Sequence, residues 1–253
     1  MRWMALIGTG LALALAAPGS SAPRVDVVAT AVADAGRTPD NIKLDDSRKP
    51  AALLKFLGLK PGMRVADMFG GNNYWAEILS PAVGPKGRVT VWLPTQFYDI
   101  KANGRLSSLA SAHPNVRWQA SPFAEPNLLP GQFDLMLINL DYHDVYWESD
   151  KRKITRMEPD QWLKIIHAAM KPGGVVGVVD HAASPGGDTR EVVEKLHRID
   201  PAVVKADFER AGFRLVGESK LLRNPADDHS LLVFNPAIRG KTDRFVMKFR
   251  KAR

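Results

Sequence analysis

The chain has 253 residues, of which 45% are hydrophobic and 25% are charged, and its formal net charge is +8. A chain of this length commonly folds as one domain with a sizeable core, and this composition excludes a predominantly disordered or fibrous protein. The sequence contains no cysteine, which excludes disulfides, thiolate metal sites and a lipidated N-terminal cysteine.

The first 22 residues have the architecture of a secretory signal peptide. Arg2 precedes an apolar run at 4–17, and small residues follow at 18–22. The run is shorter than the roughly 18 apolar residues that a membrane-spanning helix needs, so a permanent anchor is the less favoured alternative. We expect a periplasmic or secreted protein without a stable membrane anchor, cleaved near residue 22 or, alternatively, as late as residue 33.

Residues 23–48 are rich in polar side chains, Gly and Pro, and predict a loosely held linker or lid. The domain is expected to occupy residues 49–253. It begins with a helix at 49–59, whose leucines and phenylalanine share one face.

From residue 63 onward, short apolar runs alternate with helical stretches, which is typical of α/β folds. The predicted strands are 64–68, 88–93, 116–120, 133–139, 175–181, 213–218 and 230–235. The runs at 133–139 and 174–180 are almost continuously apolar, as in strands with helices on both faces. Only residues 219–229 separate the last two strands, so these should pair antiparallel. The sequence therefore predicts a Rossmann-like, seven-stranded, mostly parallel sheet with a C-terminal antiparallel hairpin.

The turn after the first strand is the strongest candidate for a ligand site. In Rossmann-like sheets, ligands bind at the carboxyl ends of the strands. Asp67 ends this strand and is followed by Phe69-Gly-Gly-Asn-Asn73 and then by a helix. Gly and Asn tolerate positive φ, so the turn can bring backbone N–H groups and a helix N-terminus close to a ligand. A plain strand-to-helix turn is the alternative interpretation.

Several ordered segments resemble class I methyltransferases, which use S-adenosylmethionine. These are Asp67 with its glycine turn, Asp134 at the start of the central strand, Lys171-Pro-Gly-Gly174 and Ala211-Gly-Phe-Arg-Leu-Val216. The resemblance covers about residues 49–235 and is closest to exported, predicted methyltransferases of bacteria. The segments that resemble this subgroup are 141–144, 180–181, 197–200, 222–228 and 242–245.

The resemblance implies that S-adenosylmethionine is the cofactor and that its amino-acid end lies against the turn after the first strand. The implied cofactor-binding residues are Asp67, Phe69, Gly70, Gly71, Asn72, Asn73, Tyr74 and Asn139. Two features depart from the family pattern. Phe69 and Asn73 occupy the outer positions of its three spaced glycines, and the second strand lacks the usual ribose-binding acid, for which Thr95 or Gln96 are the substitutes.

Methyl transfer requires a nucleophile placed in line with the methyl group and, for some acceptors, a base. Polar and aromatic side chains crowd the segment after the central strand, where the acceptor should enter. His143 is the preferred base, with Asp144 or Asp141 orienting it. The alternative is that His143 only caps the strand and bonds to backbone groups.

Asp180 and His181 end the next strand, so they should project into the same crevice, and His181 joins the predicted catalytic group. Carboxylates and imidazoles from adjacent strand ends can bind a divalent ion. Spacing across strands is not a ligand pattern, however, and we predict no metal ligand. His197 is expected at the rim of the crevice or at a helix end.

The leading hypothesis is a methyltransferase that acts on a small or medium acceptor in the cell envelope. The alternative is a non-catalytic binding protein with a degenerate methyltransferase fold, which export favours because the cofactor is made in the cytoplasm. The basic segment 241–253 raises a third possibility, binding to membrane or cell-wall polymers, against a simple terminal strand. We expect a small-molecule partner and no nucleic acid.

Overall fold

A computed structural model describes Met1 and residues 26–252. The predicted signal peptide lies outside the described residues, apart from Met1. In the part of the chain that is described, none of the helices is long and apolar enough to cross a membrane.

The segment before the domain contains three short helices, although its composition predicts a linker or lid. These are α1 (Val27–Val32), α2 (Pro39–Ile42) and α3 (Asp45–Arg48), and α4 (Pro50–Leu57) follows them. Val28 and Ala31 lie three residues apart on one face of α1 and are buried in the main core. The buried guanidinium of Arg37 donates two hydrogen bonds, of 2.7 and 2.8 Å, to Asp45. This segment is therefore packed against the domain rather than loosely held.

Strands and helices alternate from residue 64 onward, as the sequence predicts. The elements are β1 (Arg64–Met68), α5 (Tyr74–Val83), β2 (Arg88–Pro94), α6 (Ile100–Ala112), β3 (Val116–Ser121), β4 (Phe133–Asn139), α7 (Pro159–Ala169), β5 (Met170–His181), α8 (Thr189–Leu196), α9 (Pro201–Arg210), β6 (Phe213–Ser219) and β7 (Arg244–Lys251). Five of the predicted strands agree with the structure to within one residue. β5 starts earlier than the predicted residue 175.

The strands form one seven-stranded sheet in the order β3-β2-β1-β4-β5-β7-β6. β1 pairs in parallel with β2 and β4, and β5 pairs in parallel with β4. β7 runs antiparallel to both of its neighbours, β5 and β6. The predicted α/β fold, with a mostly parallel sheet and a C-terminal antiparallel pair, is confirmed.

The position predicted for the seventh strand was wrong. Residues 230–235 form turns and loop, and β7 lies at Arg244–Lys251, within the basic C-terminal segment. Val233 is buried, but its N–H donates to the carbonyl of Leu196 at the end of α8 instead of to a strand. The loop is held in this place by a buried ion pair, in which Arg198 donates two hydrogen bonds of 2.9 Å to Asp227.

β7 is a mostly buried interior strand next to the edge strand β6, even though it carries four basic residues. Its apolar residues Phe245, Val246, Met247 and Phe249 are all buried in the two halves of the core. The interpretation of the basic segment as a terminal strand is thus correct, but its side chains do not simply alternate between core and solvent.

The sheet is covered on both faces, and neighbouring residues of the central strands contribute to opposite sides. Leu135 and Leu137 of β4 belong to one cluster, whereas Met136 and Ile138 belong to the other. This alternation follows from the two-residue period of a strand, and it explains the continuously apolar sequence of β4. Because both faces of the central strands are buried in the core, a ligand site has to be formed by the polar residues at the ends of the strands.

Candidate functional site

A cavity of about 380 Å³ lies at the carboxyl ends of β1 and β4. Its volume is within the range of about 300–1,000 Å³ that is typical of small-molecule sites. The lining residues are Arg48, Asp67, Met68, Phe69, Gly70, Gly71, Asn72, Trp75, Leu93, Phe97, Asn139, Leu140, Asp141 and Asp144. The cavity thus sits where ligands bind in doubly wound sheets.

Asp67, the penultimate residue of β1, is almost completely buried at the wall of this cavity. Its Oδ2 atom is buried and accepts no hydrogen bond from residues 26–252. Burial raises the pKa of Asp67 to about 7, against the opposing charge of Arg48. Gly70 folds back over this carboxylate so closely that a Cβ atom there would clash with Asp67 and Val91. The second residue of the turn therefore has to be glycine.

Phe69 and Asn73 adopt positive φ angles of 62° and 64°. The family pattern has its outer glycines at these two positions. The turn thus keeps the left-handed backbone conformation that glycine favours, although neither residue is glycine. Asn tolerates this conformation, and Asn73 also donates from Nδ2 to the carbonyl of Arg105 at 2.8 Å. A phenylalanine with positive φ is strained by about 1–2 kcal/mol.

Arg48, the last residue of α3, supplies the positive charge of the cavity. Its guanidinium lies over the Tyr74 ring, 4.2 Å from the ring centroid. Across residues 26–252 it makes no ion pair and no side-chain hydrogen bond, although Asp67 and Asp141 line the same cavity. The Arg48 guanidinium and the carboxylates of Asp67 and Asp141 thus face the same cavity without forming an ion pair.

The segment after β4 forms a second wall of the cavity. Asn139, Asp141 and Asp144 line it, and Leu140 between them has a φ of 67°. Leu140 is held in this conformation by a hydrogen bond of 2.7 Å from its N–H to the carbonyl of Val179. Strained backbone therefore occurs in both turns that border the cavity, as is common at functional sites.

His143 does not line the cavity and lies behind Asp144. Its Nδ1 atom is 2.8 Å from Asp180 Oδ1, and its backbone N–H donates to Asp180 Oδ2 at 2.8 Å. Its Nε2 atom is 3.4 Å from Asp144 Oδ1. Burial disfavours the protonated ring, but Asp180, Asp144 and Asp141 outweigh burial and raise the pKa of His143 to about 9.

His181 lies beside His143, with the ring centroids 6.0 Å apart, but it also stays outside the cavity wall. Its Nδ1 atom is 2.7 Å from Thr242 Oγ1. Burial lowers the pKa of His181 to about 3, so this ring is neutral near pH 7. The structure thus brings the four predicted catalytic residues together, with Asp141 and Asp144 at the cavity and the two histidines behind them.

Six of the predicted cofactor-binding residues line the cavity, and Asn73 and Tyr74 do not. Tyr74 is buried, and its hydroxyl donates to Asp45 at 2.7 Å. Thr95 and Gln96 also lie outside the wall, and the amide oxygen of Gln96 accepts a hydrogen bond of 3.1 Å from the N–H of Phe123. A role for these residues in binding remains a prediction.

An aromatic cluster borders the cavity on the side of β2 and β3. The Phe69 ring packs edge-on against Trp92 and Phe123, at centroid distances of 5.1 and 5.3 Å, and lies 6.4 Å from Phe97. Phe69 and Phe97 belong to the wall. The strand ends that carry the ribose-binding acid in the family pattern therefore present apolar surface here.

Arg48, Leu93 and Phe97 line the cavity although the sequence did not identify them as candidates. Arg48 lies in the segment expected to be a linker, and nothing in the local pattern indicates that it folds back over β1. The sequence predicts His197 only at a rim or a helix end. In the structure, potential ligand atoms of His143, Asp144 and His197 all lie within 4.8 Å of one another.

No protein-family model and no curated protein matches this chain. Solved structures do match it. A SAM dependent methyltransferase from Aquifex aeolicus is 20% identical, with a TM-score of 0.58 over 84% of this chain and 93% of that one. An S-adenosylmethionine dependent methyltransferase from Mesorhizobium loti is 16% identical, with a TM-score of 0.57 over 82% and 100%. The chain has the class I methyltransferase fold.

Other proteins of this fold show its range. The 1,6-didemethyltoxoflavin-N1-methyltransferase of Burkholderia thailandensis, solved with S-adenosylhomocysteine, is 19% identical, with a TM-score of 0.54 over 85% of this chain and 80% of that one. The cyclase SpnF is 14% identical, with a TM-score of 0.55 over 90% and 93%. At these identities the likeness establishes the fold, and function has to be argued from the cavity.

Proposed function

We propose that this protein is an S-adenosylmethionine-dependent methyltransferase that acts on a small or medium acceptor. The observation that carries the proposal is the buried Asp67 Oδ2 atom, which has no hydrogen-bond partner among the described residues and lies in the wall of the same cavity as the Arg48 guanidinium. Unpaired buried polar groups are rare in folded proteins and cost about 1–3 kcal/mol each, so they indicate a missing partner.

The amino-acid end of the cofactor fits these two groups. Its α-ammonium group would bind the Asp67 carboxylate, and its α-carboxylate would bind the Arg48 guanidinium, which can donate two parallel hydrogen bonds. The Phe69–Asn72 turn borders the same space. When bound, the cofactor supplies a sulfonium-activated methyl group.

The adenosine end would rest on the apolar wall formed by Leu93, Phe97 and Phe69. Among the described residues at this wall, no carboxylate is available for the ribose hydroxyls. Binding there would depend on apolar and aromatic contact, which contributes about 25 cal/mol per Å² of buried apolar surface. We therefore expect the two charges to dominate the specificity for the cofactor.

The acceptor would enter beside Asp141 and Asp144, the two carboxylates of the other wall. These groups can orient an acceptor by accepting its hydrogen bonds, which places its nucleophilic atom relative to the methyl group. His143 would act through Asp144, since it is not part of the wall. The aromatic cluster around Phe69 excludes water from one side of the site.

Export to the periplasm, or secretion, is part of this proposal and rests on the sequence of residues 1–22. A fusion of these residues to a reporter enzyme should be exported and processed, and deletion of residues 2–22 should leave the protein in the cytoplasm. Export of the deleted chain would contradict the assignment.

Calorimetric titration of the purified chain with S-adenosylmethionine and S-adenosylhomocysteine tests the binding step. Arg48→Met should weaken binding by about 30-fold, because a charge-assisted hydrogen-bonded pair contributes about 2 kcal/mol. It should leave the affinity for 5′-methylthioadenosine, which lacks the amino-acid end, unchanged. Arg64→Met is the matched control, since Arg64 is exposed at the opposite end of β1. No binding of either cofactor form to the wild type at millimolar concentration would overturn the proposal.

The non-catalytic alternative predicts a different outcome. If the chain only binds ligands, incubation with S-adenosylmethionine and a small-molecule extract of the cell envelope should form no S-adenosylhomocysteine. A methyltransferase should form it only when the extract is present. The fold of SpnF shows that cyclases share this architecture, so binding alone does not establish methyl transfer.

A further inference from the structure

Two histidines and one aspartate converge beside the cavity from separate elements. His143 and Asp144 lie in the turn after β4, and His197 follows the last residue of α8. One potential ligand atom from each of the three lies within 4.8 Å of the others. His143 and Asp144 are buried and His197 is half-buried, so the cluster is shielded from bulk solvent.

Hydrogen bonds on the far side of both rings determine which nitrogen faces this cluster. His197 Nδ1 is 2.8 Å from the carbonyl of Val193, which can only accept, so Nδ1 carries the proton and Nε2 has a free lone pair. His143 Nδ1 likewise faces the carboxylate of Asp180, at 2.8 Å, so Nε2 is the nitrogen that faces the cluster, and an ion that binds there displaces the Nε2 proton. Metal-binding histidines almost always have this arrangement, in which the outer nitrogen donates to a carboxylate or a backbone carbonyl.

Asp144 Oδ1 gives independent evidence for a missing ligand. This atom is buried and has no hydrogen-bond donor within residues 26–252. It lies 3.4 Å from His143 Nε2, and no hydrogen bond joins the two atoms. Two ligand atoms that bind one ion tetrahedrally at about 2.1 Å are about 3.4 Å apart. The spacing of these two atoms therefore fits two ligands of one metal ion.

We propose that His143, Asp144 and His197 bind one divalent first-row transition-metal ion. Two imidazole nitrogens and one carboxylate favour ions such as Zn²⁺, Fe²⁺ or Co²⁺ over Mg²⁺ and Ca²⁺, which prefer oxygen ligands. The rings of Trp147 and Phe234 pack edge-on against His197, at 5.0 and 5.1 Å, and shield that ligand.

The position of Asp144 connects this site to the cavity. Asp144 lines the cavity wall, so an ion on its carboxylate would border the space in which an acceptor binds. Three protein ligands leave a coordination position for water or for an oxygen or nitrogen atom of a small molecule. The inference concerns metal binding by the chain alone and does not depend on methyl transfer or on cofactor binding.

The test uses the full chain after treatment with a chelator, with Co²⁺ as the probe and no cofactor present. The visible absorption of bound Co²⁺ should rise to one equivalent, fall when Zn²⁺ is added and persist in millimolar Mg²⁺. Asp144→Asn and His197→Asn should each weaken Co²⁺ binding by at least about 100-fold. Asp180→Asn, which keeps all three ligands but weakens the support of His143, should weaken Co²⁺ binding by about 10- to 100-fold.

The variants are chosen to keep the fold. Asp144→Asn preserves shape, and asparagine tolerates the φ of 50° at position 197, so far-ultraviolet circular dichroism should be unchanged for both. His113→Asn is the control, since His113 lies beside Ser80, remote from the cluster, and it should bind Co²⁺ like the wild type. If one of the two ligand variants fails to fold, Co²⁺ binding by the other variant tests the proposal.

Three results would overturn the proposal. These are less than a tenth of an equivalent of Co²⁺ on the wild type, binding that neither ligand variant weakens, or full displacement by Mg²⁺. The first result would mean that a protonated His143 bridges Asp180 and Asp144 without an ion. Because no cofactor is used, failure here leaves the calorimetric test of cofactor binding unaffected.

Discussion

The two ends of the cavity differ in whether their side chains find partners within the protein. At one end, Asp67 and Arg48 are kept apart, and neither finds a charged partner among the described residues. At the other end, the rings of Phe69, Phe97 and Phe123 pack against one another and form an apolar wall. The charged end therefore lacks protein partners for its polar groups, whereas the aromatic end is a packed apolar wall on which the adenosine end of the cofactor would rest.

The charged end should lower the stability of the protein in a pH-dependent way. The pKa of Asp67 is raised by burial from 3.8 to about 7, so the native state holds a proton that the unfolded state loses between these values. Stability should therefore fall as pH rises from about 4 to about 7, by about 4 kcal/mol at 1.36 kcal/mol per pH unit.

Asp67→Asn should remove this loss. Urea denaturation at pH 4, 6 and 8 should show the variant close to the wild type at pH 4 and more stable by up to about 4 kcal/mol at pH 8. A difference that stays constant over this range would mean that Asp67 is not an unpaired buried acid, and the contrast between the two ends would disappear.

Cofactor affinity should depend on pH through the same group, in the opposite sense. A ligand ammonium group binds the ionised carboxylate, so Asp67 must lose its proton first. The affinity for S-adenosylhomocysteine should rise by at least about tenfold between pH 5.5 and 7.5 in the wild type. Calorimetry at the two pH values measures it, and a flat profile in Asp67→Asn is the control. An equally steep profile in that variant would assign the dependence to another group.

Phe69→Gly tests whether packing or strain dominates at the aromatic end. Removal of the ring forfeits about 1.5–3 kcal/mol of apolar burial, while the backbone is relieved of about 1–2 kcal/mol of strain. We expect a net fall in the free energy of unfolding of about 1 kcal/mol by urea denaturation. A more stable variant would show that this end retains the ring for binding and not for stability.

Asn73→Gly should have the smallest effect. Asparagine already tolerates the positive φ, so the variant chiefly loses the hydrogen bond to Arg105 and gains backbone entropy in the unfolded state. Thermal denaturation should show a loss of about 0.5 kcal/mol. A loss larger than that of Phe69→Gly would mean that the hydrogen bond from Asn73 to Arg105 stabilises the fold more than the packing of the Phe69 ring does once its strain is subtracted.

The fold could be predicted where local patterns carry the information. The continuous apolar run of β4 and the breakers around β1 define their strands almost to the residue. The seventh strand could not be placed, because residues 230–235 have a strand-like composition and are held as a loop by tertiary contacts, such as the hydrogen bond from Arg198 Nε to the carbonyl of Leu231. β7 pairs with β5 and β6 through contacts that span dozens of residues, and no short window of sequence encodes them.

The candidate site also contains both residues that local sequence patterns predict and residues that distant contacts bring into place. Asp67, Asp141 and Asp144 follow strands, so their place beside the cavity can be read from topology. Arg48 reaches the cavity only because α3 folds over the end of the sheet, and His197 meets Asp144 only because α8 ends beside the turn after β4. Such meetings depend on tertiary packing and leave no periodic signal in the sequence.

The strand order has a consequence for how the protein folds. Among the strands of the described residues, β6 pairs only with β7, and β7 in turn pairs with β5, so β6 cannot join the sheet before β7 does. Residues 213–251 should then gain and lose structure as one cooperative unit, with matching amide hydrogen-exchange protection in β6 and β7. Because the paired strands are distant in the chain, the addition of β7 and β6 to the sheet should be among the slower steps of folding.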